Sequence, residues 1–104
     1  MTYSVKLSAR ARRELQSITD YLAQRNQSAA DRWNRGIVLA MRSLADQPQR
    51  FALAMESDAF PFQIHQLLYG RKRNYRVVYT IQGNAVVVLT IRHAAQDNLD
   101  PSEF

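Results

Sequence analysis

Hydrophobic and polar positions alternate at the start of the chain. Tyr3, Val5 and Leu7 are apolar while Thr2, Ser4 and Lys6 are polar, the period of a strand with one face buried. From Ser8 the period changes. Ala11, Leu15, Ile18 and Leu22 recur at helical spacing, with Ser8 placed to cap the helix and Arg25-Asn26-Gln27 to close it. A second helix is predicted from Ser28, whose side chain would cap it with Asp31 as a capping-box partner. Trp33, Ile37, Ala40, Met41 and Leu44 form its buried stripe, and Gln47-Pro48 stops it. The short turn between them predicts an antiparallel helix hairpin. Gly36 interrupts the second helix at a cost of about 1 kcal/mol relative to alanine. That cost points to close approach of the other helix or of a sheet at this position.

Residues 49–61 read as a loop. Phe62 to Tyr69 is predicted as a strand that Gly70 breaks, and Tyr75 to Gln82 and Ala85 to His93 as two further strands joined at Gly83-Asn84. Residues 94–104 are expected to be irregular or a single helical turn. The order is β-α-α-β-β-β. It predicts an α+β fold of one domain over 1–104: an N-terminal strand, a helix hairpin on one face of the sheet, then a three-stranded antiparallel meander. A two-residue turn at Gly83-Asn84 pairs Gln82 with Ala85, Thr80 with Val87, Val78 with Leu89, Arg76 with Ile91 and Asn74 with His93. In that register Arg76 and His93 lie diagonally on one face, roughly 7–8 Å apart, and Arg92 lies on the other.

Composition narrows the chemistry. Of 104 residues 46% are hydrophobic and 22% charged, which fits a globular domain and excludes a disordered tail. Without cysteine there is no disulfide framework, thiolate nucleophile or thiolate zinc site. The two histidines, His65 and His93, are far apart, so no metal site is expected. No apolar run is long enough to span a membrane, and the start lacks the apolar stretch of a signal peptide, so a cytoplasmic protein is expected.

The net charge of +5 is unevenly spread. Residues 71–93 hold Arg71, Lys72, Arg73, Arg76 and Arg92 without an acid, whereas 94–104 hold Asp97, Asp100 and Glu103 without a base. Arg10, Arg12 and Arg13 crowd the first turns of a helix, where the macrodipole disfavours cations. Twelve of the fourteen bases are arginine, the side chain suited to bidentate contact with phosphate or carboxylate. An anionic partner follows, either nucleic acid or an acidic protein.

Two readings of the strand ends are open. His93 as general acid or base, with arginines holding a phosphodiester, would suit RNA cleavage through the 2′-hydroxyl. Alternatively His93 only caps its strand, its ring satisfied by backbone. His65, with no recognisable partner, reads as structural. Glu56 and Asp58 sit in a loop without a matching base. No glycine-rich phosphate loop or nucleophile elbow is present.

Several segments together resemble one family. Ala29-Ala30-Asp31-Arg32 opening the second helix, Leu44 and Pro48 closing it, and Tyr75-Arg76-Val77-Val78-Tyr79 as a central strand are similar to the RelE/ParE toxin superfamily. The exit Ile91-Arg92-His93-Ala94-Ala95-Gln96-Asp97 looks like that of ParE-like members. The resemblance implies the toxin of a bacterial type II toxin–antitoxin module, partnered by an antitoxin whose disordered segment folds on binding, with no cofactor. It also implies one of two activities: ParE-like inhibition of DNA gyrase by binding, or RelE-like ribosome-dependent cleavage of mRNA. Residue by residue, Arg76 matches the RelE-type arginine that contacts the scissile phosphate. The RelE-type lysines fall near Leu67 and Tyr69, the second arginine near Gln96 and the catalytic tyrosine near Ser102, so the match ends there. If the chain is a nuclease, its expected catalytic residues are Arg76, which the resemblance supplies, and His93, which only the reading of the strand ends supplies, since ParE-like sequences commonly carry a histidine there. Arg71, Lys72, Arg73, Arg92, Arg10 and Arg13 are the expected contacts to nucleic acid or antitoxin. The helix-hairpin pattern and the His93 exit incline the reading toward ParE. Two further alternatives stay open: a small basic nucleic-acid-binding domain without toxicity, which no helix-turn-helix or RNA-recognition motif supports, and a decayed toxin that keeps only the fold and the antitoxin contact.

Overall fold

The computed structural model describes residues 2–96 and 98–104. Met1 and Asp97, the last residue of the exit motif, lie outside the described residues. Strand β1 (Ser4–Leu7) leads into helix α1 (Ala9–Arg25) and helix α2 (Gln27–Arg42); then follow β2 (His65–Tyr69), β3 (Tyr75–Gln82) and β4 (Ala85–His93). The sheet order is β1-β4-β3-β2, with β1 parallel to β4 and the other pairs antiparallel. The α+β order read from the sequence holds.

Ser8 ends β1 and starts α1 at once. Its N–H donates to Val88 O at 2.9 Å, its hydroxyl donates to Leu89 O at 3.0 Å, and its Oγ accepts the Ala11 N–H at 3.0 Å. The second helix starts earlier than expected, because Asn26 rather than Ser28 caps it, its Oδ1 accepting the Ala29 N–H at 3.0 Å. It also ends earlier, passing into a 3-10 turn at Ser43–Ala45 before Pro48 is reached. Ile37, Met41 and Leu44 pack on Val77, Tyr79 and Val88 to form the main core between helices and sheet. Tyr79 is fully buried; its hydroxyl donates to Pro48 O at 2.6 Å, and burial pushes its pKa up to about 12. His65 stacks on that ring with centroids 5.4 Å apart and bonds Phe51 O through Nδ1 at 2.8 Å.

The opposite face of the sheet has its own smaller core. Ala54, Phe60 and Ile64 from the long loop meet Val78, Leu89 and, from beyond β4, Leu99. Because Pro61 to Gln63 belong to this covering loop, β2 begins at His65 and not at Phe62. Residues 101–103 form the single helical turn allowed for by the sequence.

The β3–β4 register departs from the simple hairpin. Pairing runs as expected from Gln82↔Ala85 to Tyr79↔Val88, then jumps to Val78↔Thr90, so Leu89 is an extra residue in β4. This bulge reverses the alternation beyond it. Arg76 therefore faces Arg92, and Tyr75 faces His93, in place of the expected Arg76–Ile91 and Asn74–His93 pairs. Glu14 of α1 holds the bulge in place: one carboxylate oxygen accepts the Thr90 hydroxyl at 2.7 Å and the Ile91 N–H at 3.1 Å. Glu14→Ala should cost about 1–3 kcal/mol in urea unfolding, since it strands a buried N–H. Glu14→Gln keeps an acceptor and should cost less than half as much.

Candidate functional site

Arg76 lies mid-sheet on the face away from the helices. Its Nη1 and Nη2 donate to the two oxygens of Glu56 at 2.9 and 2.7 Å, and its Nε donates to Gln66 Oε1 at 2.9 Å. Both partners of the ion pair are deeply buried, with side chains 9% and 5% exposed. Glu56 Oε2 also accepts the Leu99 N–H at 3.1 Å. The Arg76 hydrogen bonds hold the Glu56 carboxyl down at about 2, against burial, which acts the other way. One loop carboxylate thus ties β3 to the segment after β4. The sequence offered no local signal for this pair, because its members are twenty residues apart and belong to different elements.

His93 sits on the other face, correcting the expected diagonal with Arg76. The bulge moves Arg92 in the opposite sense, onto the Arg76 face. His93 Nδ1 accepts the Ala95 N–H at 3.0 Å, and its ring meets Tyr75 edge-on at 5.3 Å. It borders a shallow cleft of about 330 Å³ with Ser17, Ile18, Tyr21, Tyr75 and Gln96. Burial pushes the Tyr75 hydroxyl pKa up, with Tyr21 adding to the effect. The backbone contact at Nδ1 is the strand-capping geometry.

Arg71, Lys72 and Arg73 are exposed in the turn between β2 and β3. Gly70 enters the turn at φ +93°, and Lys72 and Arg73 follow at +58° and +54°. Two consecutive side-chain-bearing residues in the left-handed region are unfavourable, and such strain collects at functional sites. Arg73 borders a second cavity with Phe51, Ala52, Gln66 and Leu68.

Arg10 and Arg92 converge from α1 and β4. Arg10 Nη2 lies 3.0 Å from Glu103 Oε2, and Arg92 Nη2 lies 3.9 Å from the same oxygen. Arg13 is exposed on α1. Of the positions that the family resemblance places beside Arg76, Leu67 is in the main core and Tyr69 donates its hydroxyl to Trp33 O at 3.1 Å. Gln96 accepts the His93 N–H, and Ser102 is exposed in the last turn. The candidate residues thus do not form one site: Arg76 and Arg92 are neighbours on one face, with Arg10 reaching Arg92 through Glu103, while His93 is on the other face and Arg71, Lys72 and Arg73 are in the β2–β3 turn. Glu56, Gln66, Glu103 and Phe104 are the contacts sequence reasoning missed.

Among the described residues, no group of three or more His, Cys, Asp or Glu is placed to hold a metal ion. No helix of the described chain is long and apolar enough to cross a membrane.

Residues 5–98 match the sequence model for the ParE toxin of the type II toxin–antitoxin system parDE. No curated protein sequence matches the chain. A chain of the chromosomal ParDE toxin–antitoxin system from P. aeruginosa superposes with a TM-score of 0.71 at 19% identity, over 88% of this chain and 96% of that one. A chain of the RelBE2 toxin–antitoxin complex from Mycobacterium tuberculosis gives a TM-score of 0.55 at 22% identity, over 92% and 95%. At these identities the likeness is one of fold.

Proposed function

The chain belongs to the ParE toxin family of type II toxin–antitoxin systems, and from that membership we propose that it inhibits DNA gyrase by binding it, without cutting nucleic acid, until a cognate antitoxin neutralises it. The observation that carries this reading is the state of Arg76. A RelE-type reaction needs that arginine on the scissile phosphate, yet here its guanidinium is held by Glu56 and Gln66 inside the protein. A phosphate would have to expel Glu56, and breaking a buried ion pair costs about 3–5 kcal/mol. His93, the other candidate for acid–base work, is on the far side of the sheet. The complexes containing the ParDE and RelBE2 neighbours support an antitoxin partner. The net charge of +5 favours an acidic one.

The second reading, a ribosome-dependent mRNA endonuclease, rests on the exposed and strained Arg71-Lys72-Arg73 turn. Induction of the chain alone in a bacterium separates the two. The gyrase reading expects DNA synthesis to fall first in pulse labelling, with filamentation and a DNA-damage response. Early loss of protein synthesis with mRNAs cut within codons would assign the nuclease. Arg76→Ala is a poor discriminator, because it unpairs Glu56 and lowers stability under either reading. Arg71, Lys72 and Arg73 changed together to glutamine leave the core intact. That variant should keep gyrase inhibition within about twofold if the turn serves only solubility, and should abolish toxicity if the turn holds RNA.

A further inference from the structure

The segment 98–104 carries an acid and an aromatic residue onto a prepared surface. Glu103 Oε2 accepts from Arg10 Nη2 at 3.0 Å, and the Glu103 carbonyl accepts from Arg10 Nη1 at 3.1 Å. Arg92 approaches the same carboxylate at 3.9 Å. The Arg10 guanidinium also lies over the Phe104 ring, 4.5 Å from its centre, and that ring meets Phe60 at 5.9 Å. One guanidinium thus reads a carboxylate, the carbonyl of the same residue and the ring of the next. A phosphate offers an anionic oxygen in place of the carboxylate, and neither of the other two groups.

The segment is held unevenly. Leu99 is buried and its N–H is bound by Glu56, whereas Glu103 and Phe104 are exposed and held only at the surface. An exposed ion pair of this kind is worth at most about fivefold in an equilibrium. We propose that Arg10, Arg92 and Phe60 form a receptor for an acidic–aromatic step of a peptide. In the free protein Glu103-Phe104 fills it in cis, and an acidic segment of the antitoxin takes it over in trans, lifting residues 100–104 off the surface. This rests on the reading that the chain has an antitoxin partner. A covalently attached occupant competes at an effective concentration of order millimolar, so a short trans peptide binds weakly and a long segment with contacts elsewhere wins.

The test uses the full chain, isotope-labelled for NMR and titrated at low ionic strength with a peptide of the sequence of residues 98–104, acetylated and amidated. Glu103→Gln removes the carboxylate charge that Arg10 and Arg92 meet, without disturbing the buried anchor. It should tighten the peptide about three- to fivefold, with the Arg10 Nε–H resonance moving on titration, and Arg10→Gln added to it should remove the gain. Asp58→Asn makes the same charge change on the exposed loop and should give none. Equal affinity for wild type and Glu103→Gln would overturn the proposal, as would a gain that survives Arg10→Gln or is matched by Asp58→Asn. A gain seen with a single-stranded oligonucleotide and not with the peptide would assign a phosphate site instead. The titration needs no toxicity: a gain in a chain that does not inhibit growth keeps the receptor and removes the toxin reading, and a toxic chain without the gain does the reverse.

Discussion

Replacing Glu56 by alanine should destabilise the protein by about 3–5 kcal/mol, the largest effect expected of any single exposed or buried carboxylate here. The substitution leaves the Arg76 guanidinium buried beside no counter-charge and strips the Leu99 N–H of its acceptor. Replacing both partners by apolar residues, as in Glu56→Leu with Arg76→Met, should cost much less, because no uncompensated charge remains. The same pair sets an acid limit on stability. Unfolded, Glu56 titrates near 4.5; folded, Arg76 holds it near 2. Its contribution, about 3 kcal/mol, is therefore complete above pH 4.5 and is lost as the pH falls from there toward 2. Urea unfolding at pH 7 and pH 3 reads this directly. The wild type should lose stability over that interval, and Glu56→Gln should lose correspondingly less. Equal acid sensitivity in the two proteins would remove Glu56 from the account.

Gly36→Ala should be the second large effect, against the intrinsic preference of a helix for alanine. A Cβ at position 36 would stand 2.0 Å from the Tyr69 hydroxyl oxygen and 3.1 Å from Cζ. The ring has little room to retreat: its hydroxyl donates to Trp33 O, and its edge contacts the Trp33 indole with centroids 6.1 Å apart. Overpacking of this kind costs about 1–3 kcal/mol, and the lost hydrogen bond adds about 1 kcal/mol. Improved helix propensity returns about 1 kcal/mol. The net loss, about 1–3 kcal/mol, lowers Tm by about 4–8 °C for each kcal/mol in a domain of this size. Tyr69→Phe removes the atom that clashes, so the double variant should melt above Gly36→Ala alone. A Gly36→Ala protein more stable than the wild type would mean that α2 does not pack on β2 through this contact.

Features set by local periodicity were legible in the sequence. The spacing of Ala11, Leu15, Ile18 and Leu22 placed α1 with Ser8 as its cap, and the valine-rich runs around Gly83-Asn84 placed β3 and β4 to the residue. Gly36 signalled close approach of the other helix or of the sheet, and it is the sheet, through Tyr69 of β2, that approaches. What the sequence hid was long-range or compensated by a distant group. The bulge at Leu89 is stable because Glu14, seventy-six and seventy-seven residues away in sequence from Thr90 and Ile91, accepts their free donors. No pattern within β4 announces it, and one extra residue exchanged the faces of Arg92 and His93. Glu56 looked like a loop acid without a base because its base lies in β3. Arg10, unfavourable at a helix start, is relieved by Glu103 and by Glu14 at 3.5 Å, neither of which the macrodipole argument could name.

On the proposed function, this ParE-family chain occupies gyrase and leaves nucleic acid uncut by its own residues. The most direct measurement places the purified protein in two reactions side by side: supercoiling of relaxed plasmid by purified gyrase, and translation of a defined mRNA on purified ribosomes with the transcript followed by primer extension. Loss of supercoiling that rises with the amount of protein, with the transcript intact, is the predicted result. Codon-spaced cleavage of ribosome-bound mRNA with supercoiling unimpaired would contradict it and return Arg76 to the reaction.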